Sequence, residues 1–509
     1  MPQLRHPLTL LAVAFALGLC ADLLFYGRTP GISAPLFVGL LLAALAGIAR
    51  AEGRLPLTTP GAKRSVVTPG LLALLFAVLV AVRASPLLTV MNILAALGLL
   101  LLHAGLYRAA PLSRLAGWRV GLGTARAALV ATLLPAPLAL QQAGRLSNLR
   151  NRGQAFLVVG RGVALALPVL LIFTGLLTMA DSIFASYVAD VLTLRPPFDL
   201  GSAIGHIALI ATVAWAVCGG LLVALDDHPV GSLLGPPVAE LPAEGETQRL
   251  RPAVSLRVLG PGEGLTVLVL VDMLFAAFML VQGTYLFGGH DTLERTGMTF
   301  ATYARRGFFE LVTVACLALA LLWAADLITR RERPWQRRAF VAASAVMVVL
   351  VLGMLASAAL RMWLYEQAYG FTLLRLLTHT WMIWLACVLL LFLVALVRER
   401  PRWFTMGVPA AAVAYLLALN LLNPDAMIVR ENLARYHATG DLDGAYLTTL
   451  SADAVPALVA ALPALGEHRT TVEAHLRARR TALETTAARD GLPGWNLGRA
   501  RALGALQRL

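Results

Sequence analysis

The amino-acid sequence predicts an all-α protein, a polytopic membrane helix bundle of about eleven spans with a small helical extracytoplasmic C-terminal region. Three observations carry that expectation. Of the 509 residues, 59% are hydrophobic and only 14% are charged; a soluble domain holds roughly 45–50% apolar residues, so most of this chain meets lipid or other helices rather than water. Apolar runs recur along the chain, each close to the roughly 20 residues that cross a hydrocarbon core about 30 Å thick. The net charge of +14 is spread as short Arg clusters between those runs, which is topology information rather than a nucleic-acid-binding patch.

The first run, 8–26, follows Arg5 and His6 and contains "LGLC". Lipidation of Cys20 would need a small residue before it, and Leu19 is large; no A-x-A-like cleavage site is present, so the run reads as the first helix. Further spans are expected at 32–49, 66–83, 86–106, 155–179, 203–225, 265–287, 307–329, 338–360, 371–397 and 404–422. Cys20, Cys218, Cys316 and Cys387 all fall inside such segments without metal-like spacing, and read as buried small residues. A twelfth candidate, 118–140, carries Arg119, Arg126, Pro135 and Pro137. If it spanned, "GRLSNLRNRG" with Arg145, Arg150 and Arg152 would fall outside, against the positive-inside rule. Read instead as an amphipathic interfacial helix, it leaves the basic clusters at 50–64, 108–152, 249–257, 330–338 and 398–402 on one side. The expected topology therefore has a cytoplasmic N-terminus and an extracytoplasmic C-terminus in the cell (inner) membrane.

Composition divides the chain further. Residues 1–226 form an N-terminal block of membrane helices, and 227–262, rich in Pro, Gly and Glu, reads as a cytoplasmic linker. A second membrane block covers 263–422. From 423 to 509 the chain becomes water-compatible, with amphipathic stretches broken at Gly440 and at "GLPG".

No Walker A, H-E-x-x-H, nucleophile elbow or paired C-x-x-C is present, so no catalytic residue, metal set or cofactor is expected. The candidates are ionisable groups placed where lipid makes them costly. Asp272 lies about 10 Å inside its span at 1.5 Å per residue. Arg305, Arg306 and Glu310 open the next span. "RMWLYEQAYGFTLLR" at 361–375 supplies Arg361, Tyr365, Glu366, Tyr369 and Arg375, and His379 follows one turn later. Arg361 with Tyr365, and Arg375 with His379, are i,i+4 pairs that share a helix face. The binding set is thus Asp272, Arg305, Arg306, Glu310, Arg361, Tyr365, Arg375 and His379, an outward pocket able to hold an anionic group by charge-assisted hydrogen bonds. The competing reading has Arg and Tyr snorkelling to the headgroups with the acids as their partners.

"YLFGG" at 285–289, "TYARRGFFELV" at 302–312, "RMWLYEQAYGFTLLR", "NPDAMIVRENLAR" at 423–435 and "LSADAVPAL" at 450–458 together resemble a bacterial integral-membrane family classed as domain of unknown function 4173. The resemblance covers about 265–460 and implies an uncharacterised membrane protein, without a substrate, cofactor or catalytic residue to carry over. Two functions follow as expectations. One is transport or flipping of a small, anionic or lipidic substrate through the outer pocket, with a polar path joining Asp272 to Glu310. The other is a non-enzymatic sensor or scaffold whose external tail packs over the polar cluster and binds an extracytoplasmic protein partner. The lipid bilayer is a partner in both, and nucleic acid in neither.

Overall fold

The computed structural model describes residues 5–53, 60–107, 131–132, 135, 138, 200–225, 260–286 and 308–509. All its elements are helices. Among the described residues, nine helices are long and apolar enough to cross a membrane, consistent with a membrane protein. A further helix at Pro60–Val82 covers the expected span at 66–83. The expected span at 155–179 lies outside the described residues, so the total of eleven is not reached among them. The expected interfacial segment at 118–140 also lies almost wholly outside them; Ala131 and Thr132 are described and are helical.

Two compact units form: residues 1–241 with 481–500, and residues 242–480 with 501–509. The first unit contains α1 (Pro7–Phe25), α2 (Ser33–Ala51), α3 (Pro60–Val82), α4 (Pro86–Leu106) and α5 (Leu200–Leu225). Helices α1 and α5 approach closely because Gly18 faces α5: a Cβ there would meet the carbonyl oxygen of Ile210 at 2.6 Å. Small residues at such crossings let backbones pack where lipid provides no hydrophobic driving force. The start of α1 lacks a side-chain cap of its own. The buried carboxylate of Glu52, just past α2, accepts from the backbone N–H groups of Arg5 at 2.7 Å and His6 at 2.8 Å instead, satisfying orphan donors and complementing the helix dipole. At the other end of α1, His206 Nδ1 lies 2.8 Å from both Asp22 carboxylate oxygens, and the Tyr26 ring stacks on the imidazole at 3.6 Å.

The second unit contains α6 (Pro261–Leu286), α7 (Phe308–Ile328), α8 (Pro334–Tyr369), α9 (Leu373–Val397) and α10 (Pro401–Leu422). Helix α8 packs against α6, α7 and α9, and α10 packs against α9. Leu268, Leu322, Phe340, Met347, Val351, Leu389 and neighbouring apolar side chains fill the core between them. At the end where α7 stops and α8 starts, Arg331 pairs with Asp326 at 2.7 Å and lies over the Phe340 ring. Arg337 pairs with Glu399 at the same end, so the basic clusters at 330–338 and 398–402 meet.

The remaining helices are short or polar: α11 (Pro424–Thr439), α12 (Gly444–Thr449), α13 (Val455–Ala461), α14 (Arg469–Asp490) and α15 (Leu497–Leu506). Only one residue, Asn423, separates α10 from α11. It takes the left-handed conformation with φ 51°, which asparagine tolerates better than most side chains, and its side chain then caps α11 by accepting from the N–H of Ala426. Residues 423–509 are shared between the two units: 481–500 belong to the first and the rest to the second.

Candidate functional site

Helix α8 is 36 residues long, about 54 Å at 1.5 Å per residue, whereas a hydrocarbon core is about 30 Å thick. Its last turns, which carry most of the "RMWLYEQAY" candidates, therefore form a helical extension at the end opposite the basic clusters. Ending such a helix leaves four backbone carbonyls without partners, and the sequence ends it with "GFT".

Gly370 closes the helix with φ 76° and ψ 174°, a region essentially restricted to glycine. Its N–H donates to the Glu366 carbonyl at 2.8 Å. The next residue is held by α11. Phe371 N–H donates to Asn432 Oδ1 at 2.8 Å, and Asn432 Nδ2 donates to the Phe371 carbonyl at 2.8 Å. This double bond to one backbone residue fixes which way the Asn432 amide points. Glycine is needed at 370 for a second reason, because a Cβ there would lie 2.6 Å from Asn432 Oδ1. Thr372 caps α9 by accepting from the Arg375 N–H, and the Leu373 N–H donates to Tyr446 Oη on α12 at 2.8 Å.

The arginines serve the same turn. Arg375 Nη1 donates to the carbonyls of Tyr369 and Gly370, and its guanidinium lies 4.2 Å from the centroid of the Tyr365 ring. Arg435 Nε donates to the Gln367 carbonyl at 2.9 Å, while its Nη2 pairs with Asp441 at 2.8 Å. Beneath them, His379 Nδ1 lies 3.2 Å from Glu366 Oε2. Glu366 is 1% exposed, and its other oxygen, Oε1, is buried with no partner among the described residues.

A second layer holds the clasp in place. Ser451 Oγ donates to Asp425 Oδ2 at 2.7 Å, and Asp425 sits in the first turn of α11, where the helix dipole favours a carboxylate. Asn423 Nδ2 reaches the Asp453 carbonyl, and Arg479 Nη1 donates to the Leu450 carbonyl at 2.6 Å. Burial pushes the Tyr446 phenol above its ordinary range; Asp425 and Asp443 push the same way, against the Leu373 hydrogen bond and Arg375. Burial, reinforced by Arg479, holds the His475 imidazole below its ordinary range against the Thr448 carbonyl bond.

Of the expected binding residues, Tyr365, Arg375 and His379 meet here, through Glu366 and the α8–α9 turn. Arg361 is on α8 one turn before Tyr365. Arg305 and Arg306 lie outside the described residues; Glu310 is in the first turn of α7, with its side chain outside them. Asp272 is separate. Met279 on α6 lies level with Gly353 on α8, where a Cβ would be 3.0 Å from Met279 Cε. The two helices run in the same direction, since Gly264 near the start of α6 faces Thr329 just before α8. Asp272 is seven residues toward the start and Glu366 thirteen toward the end, a separation of about 30 Å along the axis. Asp272 is 8% exposed, but it shares no site with Arg375.

Asn432, Arg435, Tyr446 and Gly370 were not among the candidates. Gly370 followed by a Thr N-cap carried a usable helix-end signal; Asn432, in a helix interior, gave only the weak hint of a polar residue that competes for backbone groups.

A family model described as Domain of unknown function (DUF4153) matches residues 70–461. The family number read from the sequence blocks, 4173, is thereby corrected, while the assignment to a domain of unknown function stands. No curated protein matches, and no solved structure does.

Two outcomes test the clasp. Gly370→Ala should destabilise the second unit by about 1–3 kcal/mol from backbone strain alone, read as a lowered midpoint of thermal unfolding; an unchanged midpoint would show that the turn is not constrained. A lowered His475 favours the neutral imidazole in the folded state, so its contribution is present above the unfolded value of about pH 6.5 and is lost as pH falls from there through the lower folded value. Between pH 7 and 5 the wild-type tail should therefore become more protease-sensitive than that of His475→Gln; equal acid sensitivity would contradict this.

Proposed function

The chain belongs to the DUF4153 family, and from that premise and the clasp geometry we propose that it acts as a non-enzymatic membrane scaffold or sensor whose helical tail binds an extracytoplasmic protein partner. One observation carries this reading. Arg375, the centre of the expected anion pocket, spends its guanidinium on the carbonyls of Tyr369 and Gly370 and on the Tyr365 face. A guanidinium committed to capping a helix has fewer donors left for a ligand.

The tail supports the same reading. It contributes Asn432, Arg435 and Tyr446 to a backbone turn at the membrane edge, which fits a fixed platform better than a gate. Helix α14 leaves Arg469 and Arg477 exposed on either side of Glu473, with which both pair, a charged face that a protein partner could contact. The positive-inside rule assigns the paired clusters at 330–338 and 398–402 to the cytoplasm, so the clasp and its tail fall outside the inner membrane. The expected path from Asp272 to Glu310 ends on a side chain outside the described residues, and Asp272 itself stands about 30 Å along parallel helices from Glu366, so Asp272 and Glu366 do not line one pocket.

Inorganic phosphate separates the two readings. A ligand that binds only the folded protein raises its stability by mass action. For a clasp, millimolar phosphate should leave the wild-type unfolding midpoint where an equal ionic strength of chloride leaves it. A phosphate-specific rise that Arg375→Lys abolishes would restore the anion pocket and overturn the scaffold reading.

A further inference from the structure

The segment 490–496 of the first unit is stitched to the ends of three transmembrane elements. Asp490 Oδ2 accepts from the Thr29 N–H at 3.0 Å and from the Thr29 hydroxyl. The carbonyls of Trp495 and Pro493 accept from Ile32 N–H at 2.9 Å and Ser33 N–H at 3.0 Å, the first donors of α2. Asn496 Nδ2 donates to the carbonyls of Val80 at 2.8 Å and Arg83 at 2.9 Å, where α3 ends. Gly31 permits this approach, since a Cβ there would lie 2.3 Å from the Trp495 carbonyl oxygen. The height of the segment is thus set by the points at which α2 enters and α3 leaves the apolar layer.

Two large apolar side chains at that height are uncovered in this unit. Leu492 is 74% exposed and Trp495 is 45% exposed. Leu23 in the last turn of α1 and Leu36 one turn into α2, on the two helices whose connection the segment binds, are exposed as well. An indole with an apolar body and one N–H donor is suited to the boundary between headgroups and acyl chains. We infer that residues 491–495 form a lipid-binding anchor, with Leu492 and Trp495 inserted into the bilayer interface, so that residues 481–500 of the first unit rest on the membrane rather than standing clear of it. The occupant is the lipid surface itself.

The test uses the full-length protein in phosphatidylcholine nanodiscs, where no protein partner is present. A nitroxide attached at Leu492→Cys should collide more often with molecular oxygen than with a water-soluble nickel chelate, as a label at Leu36→Cys does, while a label at Ala482→Cys shows the reverse. Brominated phosphatidylcholine gives a second reading without a new cysteine: the fluorescence lost in Trp495→Phe should be a component that brominated lipid quenches and aqueous iodide does not. A label at 492 with the aqueous pattern, or a Trp495 component quenched only by iodide, would overturn the anchor and leave this surface to a protein.

Discussion

A helix longer than the hydrocarbon core has to find partners for its last carbonyls beyond that core, and the second unit depends on how α8 meets that constraint. An unpaired backbone group costs free energy comparable to a lost hydrogen bond when buried. Here Gln367, Tyr369, Gly370 and Phe371 each direct a carbonyl to a side chain: Arg435, Arg375, Arg375 and Asn432. All four acceptors are therefore met by donors that lie outside the helix they terminate, two of them from α9 and two from the tail. Remove the tail residues and the turn keeps only Arg375.

That arrangement also explains why the distant blocks of sequence at 361–375, 423–435 and 450–458 belong together. The first supplies the turn, the second supplies Asn432 and Arg435, and the third supplies Ser451, which orders Asp425 at the start of α11. Energetically the clasp gains from being local and polar at once. Each hydrogen bond is worth about 0.5–1.5 kcal/mol net, but leaving one partner unmatched costs about 1–3 kcal/mol, so the parts are more strongly coupled than their individual worth suggests. The role of the arginines follows from the same chemistry. An Arg placed at a helix C-terminus interacts favourably with the dipole and the terminal carbonyls, and that demand accounts for Arg375 without a ligand.

Much of the fold was legible, because lipid imposes a long apolar run on every crossing segment and such runs are hard to hide. The helices at Pro7–Phe25, Ser33–Ala51 and Leu373–Val397 lie within a few residues of the expected runs. The expected span stopped at 360, because "RMWLYEQAY" is too polar to count as membrane-crossing; the i,i+4 pairing of Arg361 with Tyr365 already took the chain beyond 360 as helical, and what was missing was that this helix continues unbroken from Pro334 to Tyr369. At the site, Arg375 and His379 lie one turn apart on α9 and both reach the end of α8. The i,i+4 spacing could not show that Arg375 turns back to its neighbour's carbonyls, since that depends on the Gly370 conformation and on a residue more than sixty positions away. Asp272 was grouped with the cluster by charge and by its place in a membrane helix, and only the register between α6 and α8 separates them.

Hydrogen exchange on the intact wild-type protein tests the clasp most directly. The account predicts that the amides of Phe371 and Leu373, although they lie between two helices, exchange as slowly as amides inside α11, because Asn432 and Tyr446 hold them. Exchange of both at the rate of an open loop, with α11 still protected, would contradict it.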